Sequence, residues 1–271
     1  MEGGPAGIAW QRKASRPVYP ARLASDREQM AKRSDTGWGP YWLPMLAFLL
    51  LVELGGRGRA PESAAGLLLV LKVLAPGGLF LWYAARRRYP ELSGFRADAT
   101  LLLDVAVGLL GAVLWVAPFL WDAALRPDSR GFDAARPFGA DGVAAALALR
   151  AVGYAAVTPF VEELFVRSWL LRFSEVFLGR RDFREVPIAH FSWQSFLITT
   201  AYFVFSHQPW EWGVMLGWTL LTMAWFYRRR HIVPLIVVHA VTNAAIFAFV
   251  LLCDGRFHDA RGAPIGLWFL L

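Results

Sequence analysis

The sequence predicts an all-α polytopic membrane protein folded as one helical bundle, and three observations carry that prediction. Apolar residues make up 56% of 271 positions and mean hydropathy is +0.40, above the range of an ordinary soluble domain. Apolar runs long enough to cross a hydrocarbon core recur along the chain. Between them sit clusters of arginine, as they do beside the cytoplasmic face of a membrane. The net charge of +7 therefore reads as membrane topology rather than as a nucleic-acid surface, and the expected surroundings are a lipid bilayer and no nucleic acid.

Residues 1–37 hold Arg12, Lys13, Arg16, Arg22, Arg27, Lys32 and Arg33 among Pro, Ser and Gly, without the apolar stretch of a signal peptide. They read as a basic, mobile cytoplasmic tail. Apolar segments follow at 40–54, 64–85 and 99–121, and residues 38–140 read as the N-terminal membrane helices. Glu53, Lys72 and Asp104 fall within or at the ends of these segments. Single charges there are read as snorkelling or pairing between helices. Residues 122–140 form an Arg/Asp/Gly/Pro-rich loop.

The run 141–178 is too long for one perpendicular crossing, because 38 helical residues would extend about 57 Å against a core of about 30 Å. Thr158-Pro159 reads as a break, since threonine caps helices and proline favours the first helical position. One helix then ends near 157 and another starts at 159. Further helices are expected at 192–208, 211–228 and 232–252, which gives about eight helical segments and seven or eight crossings. The piece 263–271 is too short to span, and 253–271 reads as a C-terminal tail. One unbroken helix over 141–178 would instead give seven crossings and set all the basic clusters on one side. Trp38, Trp42, Trp121, Trp210 and Trp212 lie near segment ends, as in an interfacial aromatic belt. The single cysteine, Cys253, reads as a packing residue.

Three helical pairs carry chemistry. Glu163 and Arg167 are four apart and share a helix face, while Glu162 is turned about 100° away, so one carboxylate can be paired and the other free. Phe203 and His207 are four apart on the next helix concerned, and His239 and Asn243 on the last. Converging, they would make a hydrophilic pocket inside the bilayer. A carboxylate removed from water is a stronger base and can take a proton from water, with a histidine sharing the task. Another histidine with an asparagine can donate hydrogen bonds to a developing oxyanion. Glu162 is thus read as the general base with His207 beside it, His239 and Asn243 as the oxyanion pair, and Glu163 with Arg167 as a supporting ion pair. His190, His231 and His258 sit at segment edges and read as interfacial.

The ordered set Glu162-Glu163-x-x-x-Arg167, Phe203-x-x-x-His207 and His239-x-x-x-Asn243 resembles the CAAX-protease and bacteriocin-processing (CPBP, or Abi) family of glutamate-type intramembrane endopeptidases. The resemblance covers about residues 141–252. It implies hydrolysis of a peptide bond in a membrane-associated peptide or protein, by water activated at the first glutamate and the second-motif histidine, with no metal cofactor. The expected location is a bacterial-type inner (plasma) membrane. Family members often carry glycine after the motif arginine, where this chain has Ser168. Two other classes remain: a zinc-dependent metalloprotease, although no HExxH occurs, and a non-enzymatic scaffold or proton-coupled transporter built on buried Glu, His and Arg.

Overall fold

Four helices of the computed structural model, Glu62–Ala85, Leu101–Trp121, Ala140–Ser174 and Ile232–Cys253, are long and apolar enough to cross a membrane. The structure describes residues 37–55, 61–129, 131–179 and 181–271. The expected basic tail therefore lies almost wholly outside the described residues. From Trp38 onward the chain forms one compact unit.

Among the described residues there are seven helices and no sheet: α1 (Gly39–Gly55), α2 (Ala65–Ala85, preceded by a 3₁₀ turn), α3 (Leu101–Trp121), α4 (Ala140–Ser174), α5 (Trp193–Phe205), α6 (Trp212–Arg229) and α7 (Ile232–Cys253). Their surfaces separate as lipid-immersed helices should. On α2, Leu67, Leu74 and Leu81 recur every two turns and stay exposed, while Leu69, Val73 and Pro76 on the opposite side are buried. The outer stripe suits hydrocarbon.

The helix α7 is the centre of the bundle. Half of its most apolar stretch is buried, against a third or less in the other three long helices. It packs most closely on α3, where Gly108 permits the approach: a Cβ there would lie 2.8 Å from the Val238 carbonyl oxygen. The Thr242 hydroxyl, which also lies 3.0 Å from its own Val238 carbonyl, donates across this contact to the Gly108 carbonyl at 2.9 Å. Small residues at close helix crossings and polar bonds between helices are how membrane bundles associate without a hydrophobic drive.

The expected break at Thr158-Pro159 does not occur. Thr158 is helical (φ −55°, ψ −49°), and α4 runs unbroken through 35 residues, about 52 Å. Eight segments thus become seven. The proline is accommodated because Gly153–Val157 is π-helical, as is Leu164–Leu170 further on. In this wider register Thr158 N–H reaches the Gly153 carbonyl, five residues back. The next bond of the series would run from residue 159 to the Tyr154 carbonyl, and proline has no N–H to make it. One carbonyl is thereby released without ending the helix.

Asp104 behaves as the sequence reading proposed for an isolated charge. It is fully buried on α3, accepts from Trp225 Nε1 at 2.8 Å and from Arg229 Nη2 at 3.1 Å, and so ties α3 to α6. Its neighbour in that reading, Lys72, has a different place, described below.

Candidate functional site

Glu162, Glu163 and Arg167 are buried on α4, and their environments diverge as the 100° rotation between adjacent residues requires. Glu163 is completely enclosed. Its Oε1 lies 2.8 Å from His239 Nδ1 on α7 and accepts from Arg167 Nη1 at 3.4 Å. Arg167 Nη2 donates to the Thr222 hydroxyl on α6 at 3.0 Å. The guanidinium lies 3.7 Å from the Phe203 ring centroid, which gives the phenylalanine of the second motif a definite task as a cation–π seat. One buried cation thus gathers α4, α5, α6 and α7.

Glu162 has a looser setting. Its nearest titratable neighbour across the bundle is His239, with Nε2 to Oε2 at 3.9 Å, beyond hydrogen-bonding distance. The carboxylate lines a cavity of about 410 Å³ together with His207, His239 and Asn243. The four polar residues expected to converge therefore do so, from α4, the turn after α5, and α7. Glu163 and Arg167 lie behind the wall, and Phe203 forms part of it.

The hydrogen bonds fix what each ring can offer. His207 Nδ1 is 2.8 Å from the Phe203 carbonyl, which can only accept, so Nδ1 carries the proton and a neutral ring keeps Nε2 as an acceptor. The Glu163 carboxylate, paired with Arg167, accepts a hydrogen bond from His239 Nδ1 in the same way. Trp218 packs on that imidazole at 4.8 Å between ring centroids. Asn243 Nδ2 donates to the Tyr154 carbonyl at 2.7 Å, the same carbonyl that Pro159 leaves free. Among the described residues, no three His, Cys, Asp or Glu side chains are grouped to hold a metal ion.

Residues 144–245 match the family model described as type II CAAX prenyl endopeptidase, Rce1-like. That segment is an Rce1-like domain. All seven motif residues, from Glu162 to Asn243, fall inside it, and a domain of this protease family implies a peptide hydrolase acting on a peptide or protein. No curated protein matches the chain, and no solved structure does.

The Rce1-like domain contains site features that the motifs do not announce. Arg150, Tyr154, Thr158, Glu162 and Val166 all line the cavity, one every four residues. On a uniform α-helix such a series drifts by about 40° per step, because four residues turn about 400°. The π-helical stretches turn less per residue and hold the series on one face. Lys72 enters the same wall from α2, outside the matched segment. A four-residue spacing read forward and backward from Glu162 would have found Arg150 and Tyr154. No local signal could have brought Lys72 to them.

Proposed function

We propose that the chain is an intramembrane endopeptidase in which Glu162 and His207 activate water and His239 and Asn243 receive the oxyanion. The observation that carries this reading is the unequal use of two adjacent carboxylates: Glu163 is taken up by Arg167 and His239, whereas Glu162 faces the cavity.

In the proposed reaction Glu162 takes a proton from water, and the hydroxide adds to the peptide carbonyl carbon. A separation of 3.9 Å between Glu162 and His239 suits a shared water between them. His207, with Nε2 as acceptor, assists the same proton transfer. The carbonyl oxygen becomes an oxyanion. Asn243 has one amide hydrogen left after the bond to Tyr154, and His239 donates through Nε2 when the ring carries both protons. As the C–N bond breaks, the proton held by Glu162 passes to the departing amine nitrogen.

The membrane setting supports a substrate that is itself membrane-associated, and the four long apolar helices support an integral membrane protein, read here as one of a bacterial-type inner membrane with seven crossings if α1, α5 and α6 cross as well. The unbroken α4 favours this odd count, which sets the basic clusters at 86–88, 181–184 and 228–230 on the cytoplasmic side. Residues 141–252 would then be the catalytic core and 38–140 its supporting helices.

The test compares membrane-peptide products in cells making the wild-type chain and cells making Glu162→Ala or His207→Ala. Peptides that appear only with the wild type, and whose formation the purified protein reproduces, are expected. Retained cleavage in both variants would sink the proposal, and proton-coupled flux in liposomes would favour a transporter. Cleavage is expected to survive chelation. Stoichiometric zinc with loss of activity on chelation would move the mechanism to a metalloprotease.

A further inference from the structure

Among the described residues, two cations in the cavity wall are in no ion pair. Lys72 on α2 and Arg150 on α4 line the same cavity as Glu162, His207, His239 and Asn243. The helices that carry them meet closely, since a Cβ on Gly153 would lie 3.0 Å from Val73 Cγ2, one residue beyond Lys72. Arg150 stacks near two rings, 5.4 Å from the Tyr154 centroid and 5.5 Å from that of Phe132. Its Nε is buried without a hydrogen-bond partner.

Other enclosed cations of this bundle are treated differently. Arg167 has Glu163, Arg172 has Glu91 and Arg229 has Asp104. Among the described residues no carboxylate stands within ion-pairing distance of Lys72 or Arg150. Besides Glu162, the acidic side chain lining the cavity is Glu211, which accepts the Gln208 backbone N–H at 2.9 Å. Holding two cations in the wall of one cavity among apolar helices costs stability. An anion that enters the cavity recovers that cost on binding.

We propose that Lys72 and Arg150 form a carboxylate subsite, which anchors an acidic group of the bound peptide while Glu162 faces the bond to be cut. The inference rests on the endopeptidase reading. A guanidinium fork matches a carboxylate in two parallel hydrogen bonds, and the ammonium adds a point charge. The anchor and the base sit on one unbroken helix, twelve residues apart, about 18 Å of axial rise. An extended peptide advances about 3.3–3.6 Å per residue, so the anchored group lies within about five residues of the cleaved bond. The carboxylate comes either from the end of the peptide or from an acidic side chain near it.

The experiment measures binding, so that it stands apart from cleavage. The Glu162→Gln protein in phosphatidylcholine nanodiscs is titrated with a dansyl-labelled alternating Ala/Leu hexapeptide in three forms: free acid, amide, and amide with one Glu near the end. The free acid, the Glu-containing amide or both are expected to bind at least about tenfold tighter than the plain amide, the scale of a charge-assisted pair, and which of them does so names the source of the carboxylate. Lys72→Met and Arg150→Met, added separately, are expected to abolish that preference while leaving the affinity for the plain amide unchanged, and Arg150→Lys to retain part of it. Equal binding of all three peptides by the parent protein would overturn the subsite, as would a preference that survives both Met variants. Loss of the preference when phosphatidylglycerol is added would assign the cations to lipid phosphate and overturn the peptide role. An acid preference in a protein whose wild-type form cuts nothing would leave the subsite standing and remove the endopeptidase reading.

Discussion

Two fully buried carboxylates in this bundle pair with arginine to different ends. Asp104, on α3, has both oxygens bonded, one by Trp225 and one by Arg229, and the network closes on itself. Glu163, on α4, receives both of its hydrogen bonds on Oε1, while Oε2 is buried without one. Its network does not close. It runs on through His239 to the cavity, where Glu162 faces the same imidazole. Burial of a charged pair alone therefore says little about function, since a closed pair ties helices together. A pair becomes part of a site when one member goes on to orient a group that faces open space.

The comparison can be broken by variants on each side of it. Glu162→Gln is expected to have the largest effect, a loss of cleavage on the order of 10²–10⁴-fold with thermal unfolding unchanged. A large loss of stability instead would put Glu162 among the structural charges. Arg167→Met leaves Glu163 buried and uncompensated, an expected cost of about 3–5 kcal/mol, read as lower yield and earlier unfolding in detergent. Asp104→Asn removes charge from the closed network and should cost about 1–3 kcal/mol. Its cleavage per folded molecule should match the wild type, and a specific activity reduced tenfold would make Asp104 part of the site. The smallest effect is expected for Pro159→Ala, in which a restored N–H competes for the Tyr154 carbonyl that holds Asn243. Stability should rise, by up to about 3 kcal/mol, while kcat falls about tenfold and KM stays level. Falls in both stability and kcat would show the proline to be a packing residue.

Much of this was legible in the sequence, and what was missed shares one cause. The spacings from Glu163 to Arg167 and from His239 to Asn243 are each about one helical turn, so local geometry alone predicted which side chains share a face, whereas the helix expected over 192–208 ends at Phe205 and leaves His207 in the turn that follows. The cation–π seat of Arg167 on Phe203 joins two of those motifs, and its partners could be named although their contact could not. Thr158-Pro159 was misjudged because the rules for caps assume a neighbouring α-helical register. Here the π-helical turn before the proline absorbed it, and the consequence appeared 89 residues away at Asn243. Asp104 and Arg229 are separated by 125 residues, and Lys72 and Arg150 by a whole helix and a long loop. Such pairs depend on which helices become neighbours, and helix order in a bundle leaves no periodic trace in the chain.

The four-residue series along α4 gives the helix the character of a ruler. Its marks, from Arg150 through Tyr154 and Thr158 to Glu162, stand one turn apart, about 6 Å for each four residues. With a carboxylate held at the first mark and hydrolysis at the last, the length of the released fragment is set by counting turns rather than by recognising the residues between. Moving the arginine from position 150 to 154 would shorten the measure by one division, and the cut would shift by about two peptide residues toward the anchored group.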